Sequence, residues 1–344
     1  MKKRVSLLAA ASVAALSLTV GAATAQKLEM TSVYPGTFPI LGDIGREIGG
    51  RMELVSGGEI SLHFNEPGAL VPAPEAWDAV SIGAVDAAWY SPGFAQGIIP
   101  AAAMFTSVPF GPEAPEYLAW YYHGGGEEIW EEITAKHNIK SIICATLPPE
   151  ASGWFREPIE SVEDMKGITM RFFGLGARVM ERLGVSAQTL PVGDTVPALE
   201  LGTIDAAEIS MPALDYALGM QNYAGNYYFP GWHQQTSLIT LLINRDIWNG
   251  MNERNQAVVK EVCRSAVAQS IAWGEAIQFE ALQALTEQGV TIQKWSPEIL
   301  EAMEAAWMEE VEDLSADADF ARTWESYSTF RENYQIWRDL GYLR

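Results

Sequence analysis

The sequence predicts an α/β protein built as two lobes, and three observations lead there. From Lys27 to Tyr90 the polarity runs strand, helix, strand, helix, strand, the alternation that lays helices on the faces of a mostly parallel sheet. The chain has 344 residues, more than one ordinary hydrophobic core accommodates, so two cores are expected. Third, residues 79–89, AVSIGAVDAAW, recur without a gap as residues 198–208, ALELGTIDAAE.

In that repeat Ala79, Gly83, Asp86, Ala87 and Ala88 match Ala198, Gly202, Asp205, Ala206 and Ala207. Val80, Ile82 and Val85 meet Leu199, Leu201 and Ile204. In each copy a helix ends at a glycine, which takes the left-handed cap conformation without strain. An alanine pair then leads into a closely packed strand. The tips differ, Trp89-Tyr90 in one copy and Glu208-Ile209 in the other. A shared scaffold with divergent tips predicts strand ends that face one cleft, because ligands of open α/β sheets bind at the carboxyl ends of strands. Coincidence among common small residues is the alternative, and the ungapped match weighs against it.

Taken in order, Lys27–Val33 alternates like a strand, and Tyr34-Pro35-Gly36 breaks it. A helical pattern from Phe38 to Ser56 closes at Gly57-Gly58. Glu59–Asn65 reads as a strand with Ile60, Leu62 and Phe64 on one side. Glu75–Ile82 is a short helix ended by Gly83, and Val85–Tyr90 a buried strand. Ile168–Phe173 is a further buried strand, with Arg171 inside it. After the second repeat copy the chain turns helical: Ile247–Gln288 is rich in Ala, Glu and Gln. Val290–Trp295 is a strand, and Ser296-Pro297-Glu298 opens a helix with cap and proline in their expected places. The tail to Leu340 carries Trp307, Phe320, Trp324, Tyr327, Phe330, Tyr334 and Trp337 at helical spacing. So many aromatics cover either the chain's own lobes or a second subunit.

The N-terminus has the layout of a secretory signal: Lys2-Lys3-Arg4, an apolar run from Val5 to about Val20, then Ala23-Thr24-Ala25 before Gln26. The run is too short to be a good membrane span. The expectation is an exported protein with residues 1–25 removed. The net charge is −22, and loss of the signal's three cations makes it −25. A surface that acidic disfavours nucleic acid and anionic lipid. An anionic ligand must then be met by local positive charge. Cys144 and Cys263 lie far apart in sequence, and an oxidising compartment permits their pairing without requiring it.

Enzymatic constellations are lacking. The histidines, His63, His123, His137 and His233, show no metal-binding spacing. No GxSxG elbow occurs, and neither cysteine sits in a nucleophile context. Gly174-Leu175-Gly176 and Gly124-Gly125-Gly126 read as turns. Arg171 is different, because an arginine in a buried strand is costly unless an anion meets it. That anion is either a ligand carboxylate, which the guanidinium grips with two parallel hydrogen bonds, or one of the chain's own acids.

The run DMKGITMRFFGLGARVMERLGVSAQTLPVGDTVPALELGTIDAAE, residues 164–208, resembles the central signature of the DctP-type substrate-binding proteins of TRAP transporters. The "LKGLKxR" region falls on Arg171, and the "ALxxGxVDAxE" unit falls on the second repeat copy. Tyr228-Phe229-Pro230-Gly231-Trp232-His233 resembles the subgroup that binds 2-oxo monocarboxylates, sometimes with a metal cation. The resemblance implies a two-lobed periplasmic binding protein, type II-like, with long C-terminal helices. Residues 26–150 would form mainly the first lobe and 151–245 mainly the second. Residues 246–344 would supply helices packing on both and, in the subgroup, supporting a homodimer.

The resemblance further implies Arg171 as the carboxylate clamp, Glu208 as the acid at the strand end, and Glu150 where a glutamine is common. Gln234 stands where the subgroup has a glutamate, and Ile209 where it has a tryptophan. Glu150, Glu208 and Gln234 would hold a Na or Ca cation, or else hydrogen-bond hydroxyl or keto oxygens without metal. Tyr90, Trp154, Phe172 and Trp232 are candidates for the cleft wall, with core packing the alternative for each. Strand alternation lets only one of Phe172 and Phe173 share the face of Arg171. The expected function is capture of a small organic acid in the periplasm and delivery to TRAP membrane subunits. The alternatives are an exported enzyme using Glu150 and Glu208 as acid and base, and a ligand sensor without transport.

Overall fold

The computed structural model describes residues 26–343, so the segment read as a signal lies outside the described residues. Strands β1 (Gln26–Ser32), β2 (Ile60–Asn65), β3 (Ala87–Tyr90) and β4 (Ile139–Leu147) open the first sheet. The chain then builds most of a second with β5 (Gly153–Phe155), β6 (Thr169–Arg171), β7 (Ser186–Gln188), β8 (Ala206–Ala207) and β9 (Asn226–Phe229). Strand β10 (Ser237–Asn244) returns to the first sheet, and β11 (Thr291–Lys294) joins the second. The strand orders are β2-β1-β3-β10-β4 and β11-β9-β5-β8-β6-β7.

Both sheets are mixed. In the first, β1 runs parallel to β2 and β3, while β10 is antiparallel to β3 and β4. In the second, β6 runs parallel to β7 and β8, and β5 is antiparallel to β8 and β9. The antiparallel members are those reached by direct crossover between the sheets, at residues 148–152 and 230–236, with no helix to reverse the chain.

The first sheet carries α1 (Asp43–Ser56), α2 (Ala76–Ser81), α3 (Ala114–His123) and α4 (Gly126–Ala135). With the second come α5 (Gly174–Arg182), α6 (Val192–Glu200) and α7 (Pro212–Ala217). The C-terminal third supplies α8 (Arg245–Gly250), α9 (Glu253–Ala276), α10 (Gln278–Glu287), α11 (Pro297–Leu314) and α12 (Ala318–Gly341). These helices serve both sheets: α9 packs on β4 and α1, α10 on α7, α11 on α5, and α12 on α3 and α4. Buried Glu310 of α11 receives Arg178 at 2.9 Å and Arg182 at 2.6 Å, which ties α11 to α5. Cys144 of β4 and Cys263 of α9 form a disulfide, so the pairing that spacing left open is made. Among the described residues no helix is long and apolar enough to cross a membrane.

The repeat is structural. Gly83 follows α2 at φ 74° and Gly202 follows α6 at φ 70°, both left-handed. Ala84 N–H donates to Ala79 O at 2.8 Å, and its counterpart Thr203 N–H donates to Ala198 O at 3.0 Å. Asp86 accepts the N–H of Glu29 in β1 at 2.8 Å, and Asp205 accepts the N–H of Thr169 in β6 at 2.9 Å. Each aspartate thus bonds the backbone of the neighbouring parallel strand just before the ladder between them begins. Both units deliver their strand ends to the space between the sheets.

Candidate functional site

The second sheet sets two opposite charges side by side. Arg171 ends β6 opposite Ala207 of β8, so the next residue, Glu208, lies beside it, and Glu208 N–H donates to Arg171 O at 2.9 Å. Arg171 Nη1 meets Glu208 Oε2 at 2.7 Å and also donates to the Glu208 carbonyl, while Nε donates to Leu190 O at 3.2 Å. Both side chains are buried, and Nη2 has no partner among the described residues. Phe173 N–H adds a 3.1 Å bond to Glu208 Oε2. The internal acid that Arg171 could have met is therefore present, and it occupies one half of the guanidinium fork.

The two crossovers bring the remaining polar groups. Glu150 follows β4, and its N–H donates to Gln234 O at 3.1 Å, which laces one crossover to the other. Ser210 Oγ donates to Glu150 Oε1 at 2.9 Å, and Gln234 Nε2 donates to Glu150 Oε2. His233 Nε2 stands 3.5 Å from Glu208 Oε1 and 3.8 Å from Glu150 Oε2. Neither ring nitrogen of His233 nor Glu208 Oε1 has a hydrogen-bond partner among the described residues, although all are buried.

Arg171, Glu150, Ser210 and Gln234 border a cavity of about 20 Å³. The second sheet gives it Arg171, Phe173, Ile209 and Ser210, the crossovers give Glu150 and Gln234, and the first sheet gives Tyr34, Ser91 and Phe94. Phe94 meets Phe173 with ring centroids 4.6 Å apart. A larger groove of about 420 Å³ runs along α12, but its arginines, Arg331 and Arg338, already face Glu116. The chemistry is in the smaller space.

Four aromatics expected at the cleft are placed elsewhere. Trp154 stacks on Tyr227 at 3.9 Å and donates to Asp215 Oδ2 at 2.8 Å. Tyr90 packs in the core against Trp77 and Phe94, at 5.9 and 5.8 Å. Trp232 stacks on Phe110 at 5.5 Å, and Phe172 meets His233 edge-on at 4.8 Å behind the cavity. The reason for Phe172 is the strand period of two: Phe173, not Phe172, shares the face of Arg171. Tyr34 and Phe94 lie just beyond β1 and β3. The rule that ligands meet the carboxyl ends of parallel strands would have found them. His233 closes the run that resembles the 2-oxo acid-binding subgroup, but without metal-binding spacing nothing in the sequence assigns it a role of its own.

Burial dominates the electrostatics. The Glu150 carboxyl is pushed well above the usual carboxylate range by burial and by Glu208 nearby. Burial alone would also raise Glu208, but Arg171, His233 and the Phe173 N–H outweigh it and hold that carboxyl below its usual range. Asp215, two turns of chain further on, is raised to about 7 by burial, against the bonds from Trp154 and Tyr227. Arg171 and Glu150 therefore face the cavity, with Glu208 held behind them against the guanidinium.

A cation would find donors here. Among the described residues, Glu150, Glu208 and His233 form a buried group whose ligand-type atoms lie within 4.8 Å of one another. Glu208 Oε1 and His233 Nε2, 3.5 Å apart, form one edge of that group. Gln234, expected as an oxygen ligand, donates its amide N–H to Glu150, which leaves its Oε1 free to accept.

Comparison with known proteins gives a consistent answer. The model of the family described as bacterial extracellular solute-binding protein, family 7 (DctP) matches residues 38–317. A monocarboxylate 2-oxoacid-binding periplasmic protein of Nostoc sp. is 34% identical over 319 residues, covering 91% of this chain and 86% of that protein. A TRAP transporter solute-binding protein of Bordetella bronchiseptica superposes with a TM-score of 0.89 at 30% identity, over 91% of this chain and 94% of that one. That structure is a dimer with copurified calcium and picolinate at its active site. The periplasmic solute-binding protein of Pseudoalteromonas atlantica, with sodium and pyruvate, gives 0.86 at 27% identity over 91% and 96%. That of Colwellia psychrerythraea, with calcium and pyruvate, gives 0.88 at 26% identity over 92% and 97%.

Proposed function

This chain belongs to family 7 of the bacterial extracellular solute-binding proteins, the DctP receptors of TRAP transporters, and from that premise we propose that it captures a short 2-oxo monocarboxylate between its lobes. One observation carries the reading: the buried guanidinium of Arg171 borders the cavity with Nη2 unpartnered. Glu208 holds the other side of the fork and fixes its direction. A guest carboxylate completes the fork with charge-assisted hydrogen bonds, which are about twice as strong as neutral ones.

Size and charge support a small monoanion. The space is narrow, and Phe94, Phe173 and Ile209 wall it with apolar surface. Arg171 and Glu208 cancel, so an arriving anion adds an uncompensated charge to a buried site, at considerable cost. A cation bound by Glu150 and Glu208 would supply that missing charge and orient a keto oxygen. Pyruvate and picolinate, the guests of the solved relatives, both place a carboxylate beside a second metal-binding atom.

The guest touches both sheets, so it favours the closed arrangement by the difference in contacts between closed and open forms. The hinge strands are the crossovers that carry Glu150 and Gln234, with residues 26–150 and 151–245 as the main parts of the two lobes. Residues 1–25 direct export, the closed form is what the membrane subunits receive, and the α12 end supports a homodimer. The relatives act as receptors, and the same role is assigned here.

Isothermal titration with pyruvate and its longer 2-oxo homologues tests the assignment. Arg171→Ala should weaken binding on the order of 100-fold, with circular dichroism and the aromatic near-ultraviolet signal retained. The acid should be recovered unchanged and stoichiometric. Undiminished affinity in that variant would overturn the clamp, and conversion of the acid would favour an enzyme.

A further inference from the structure

We propose that Phe173 and Gly93 set the length of acid that this receptor accepts. The ring of Phe173, which follows β6, seats against the bare Cα of Gly93, which follows β3, and divides the guest's cavity from a second space that a longer tail would need. The inference rests on the receptor reading above and names the residues that limit the guest in that same site. It starts from a glycine whose backbone does not require one. Gly93 lies in the short helical turn Pro92–Ala95, and its φ is not positive. Its N–H donates to Thr106 Oγ1 at 2.6 Å, a bond that any residue except proline would make. Space is what demands glycine: a Cβ would stand 2.9 Å from Phe173 Cζ and 3.2 Å from Cε1, with Thr106 Oγ1 the lesser neighbour at 3.3 Å.

The ring has little room to give way. The Phe173 N–H is held by Glu208 at 3.1 Å, and the ring packs on Phe94 with centroids 4.6 Å apart. Pushed from Gly93, it moves into the guest's cavity, which it also lines, or it moves away together with the second sheet. Both movements weaken binding. The first takes the guest's room, and the second takes its contacts to one lobe, which are what favour closure.

The same ring is a partition. The cavity bordered by Arg171 and a second cavity of about 10 Å³ share two lining residues, Phe173 and Gln234. Gln234 is fixed by its bond to Glu150, so the ring is the removable wall. The second space is bounded also by Gly93, Ala103, Leu175 and Gly176, all small or apolar. Its hydroxyls are engaged, Thr106 by the Gly93 N–H and Ser107 on the His233 carbonyl at 3.2 Å, so an apolar tail would strand neither. The Phe173 ring centre is 6.0 Å from the guanidinium carbon of Arg171, and an acid held there meets the ring within a few bonds. One methylene in an apolar pocket changes selection by about 10–200-fold, so a wall that stops the tail dominates the choice of guest.

The test uses the full mature protein, with sodium and calcium present, and titrates pyruvate, 2-oxopentanoate and 2-oxohexanoate by calorimetry. The unaltered protein should bind pyruvate at least about 10-fold more tightly than 2-oxohexanoate, and Phe173→Ala should cut that ratio by at least about 10-fold. Gly93→Ala changes no side chain that lines the guest's cavity. It should nonetheless weaken pyruvate by about 10-fold through overpacking, with circular dichroism unchanged. The double variant decides the mechanism. Without the ring an added methyl has little to strike, so Gly93→Ala should cost little affinity in the Phe173→Ala background, whereas independent structural roles predict losses that add. Should Phe173→Ala fail to fold, Phe173→Leu takes its place in both comparisons. Additive losses, an unchanged ratio in the ring variant, or equal affinity of the unaltered protein for pyruvate and 2-oxohexanoate would overturn the proposal and leave the receptor standing. Failure of the unaltered protein to bind any of the three acids would overturn the receptor reading and this inference with it.

Discussion

Residues 79–89 and 198–208 follow the same path and end in opposite chemistry. Both leave a helix through a left-handed glycine, and both use an aspartate to bond the backbone of the neighbouring strand. The first copy then ends in Trp89, which is wholly buried and donates its indole N–H to Leu41 O. The second ends in Glu208, equally buried, held by Arg171 and the Phe173 N–H. The first sheet thus contributes walls, through Tyr34, Ser91 and Phe94, while the second contributes charge. The difference shows how a duplicated scaffold specialises: the turn is kept because the backbone requires it, and the tip is free to change because only the cleft reads it.

Exchanging the demands on the two tips tests this division most strongly. Glu208→Ala leaves a buried guanidinium without its counter-charge, a defect of about 3–5 kcal/mol. Trp89→Phe removes an indole bond and some volume, about 2 kcal/mol by the behaviour of large-to-small core changes. Urea denaturation at neutral pH should rank them in that order. Binding of the acid should fail in the first and survive in the second. Equal destabilisation with equal loss of binding would dissolve the distinction between wall and charge.

The buried acids sharpen the comparison further, since Glu208, Glu150 and Asp215 all gather around the second sheet and its crossovers. Asp215 is raised from 3.8 to about 7, first by burial. The native state therefore holds a proton there that the unfolded chain releases, and stability falls as pH rises from about 4 to about 7. Its contribution is complete below the lower value and lost above the upper. Asp215→Asn keeps an oxygen for Trp154 and Tyr227 while removing the titration. The variant should gain about 2–4 kcal/mol over the parent between the two ends of that window. Thermal denaturation across it measures the gain, and parallel pH profiles for both proteins would place the proton elsewhere.

How far the sequence reached follows the same line between backbone and tip. The repeat, the strand of Arg171 and the capping glycines were legible because each rests on local rules of turn and period. Arg171 was legible because charge inside an apolar strand is rare enough to notice, whereas Glu150, Glu208 and Gln234 came only with the family resemblance. The aromatics were not legible. Twelve tryptophans and as many tyrosines and phenylalanines offer similar surfaces to core and cleft, and only tertiary packing sorted Phe173 from Phe172 or Phe94 from Tyr90. His233 is the opposite case: its neighbours Trp232 and Gln234 drew attention, but nothing local says that its ring faces two carboxylates from other elements. The disulfide was likewise undecided until α9 lay against β4.

The smallest expected effect tests whether the two copies are one structure. Gly83 and Gly202 both sit at positive φ, 74° and 70°, where a side chain costs about 1–2 kcal/mol through its clash with the following carbonyl. Space does not separate them strongly: a Cβ at Gly202 meets nothing within 4 Å, and one at Gly83 comes no nearer than 3.5 Å to Asn244 Nδ2, an ordinary contact. Gly83→Ala and Gly202→Ala should therefore cost nearly the same, and neither should alter affinity for the acid, because both turns lie at the far ends of their strands from the cleft. The double variant should show the sum, since the sites share no partner. A penalty at one glycine and none at the other would mean that the matching residues conceal different backbones.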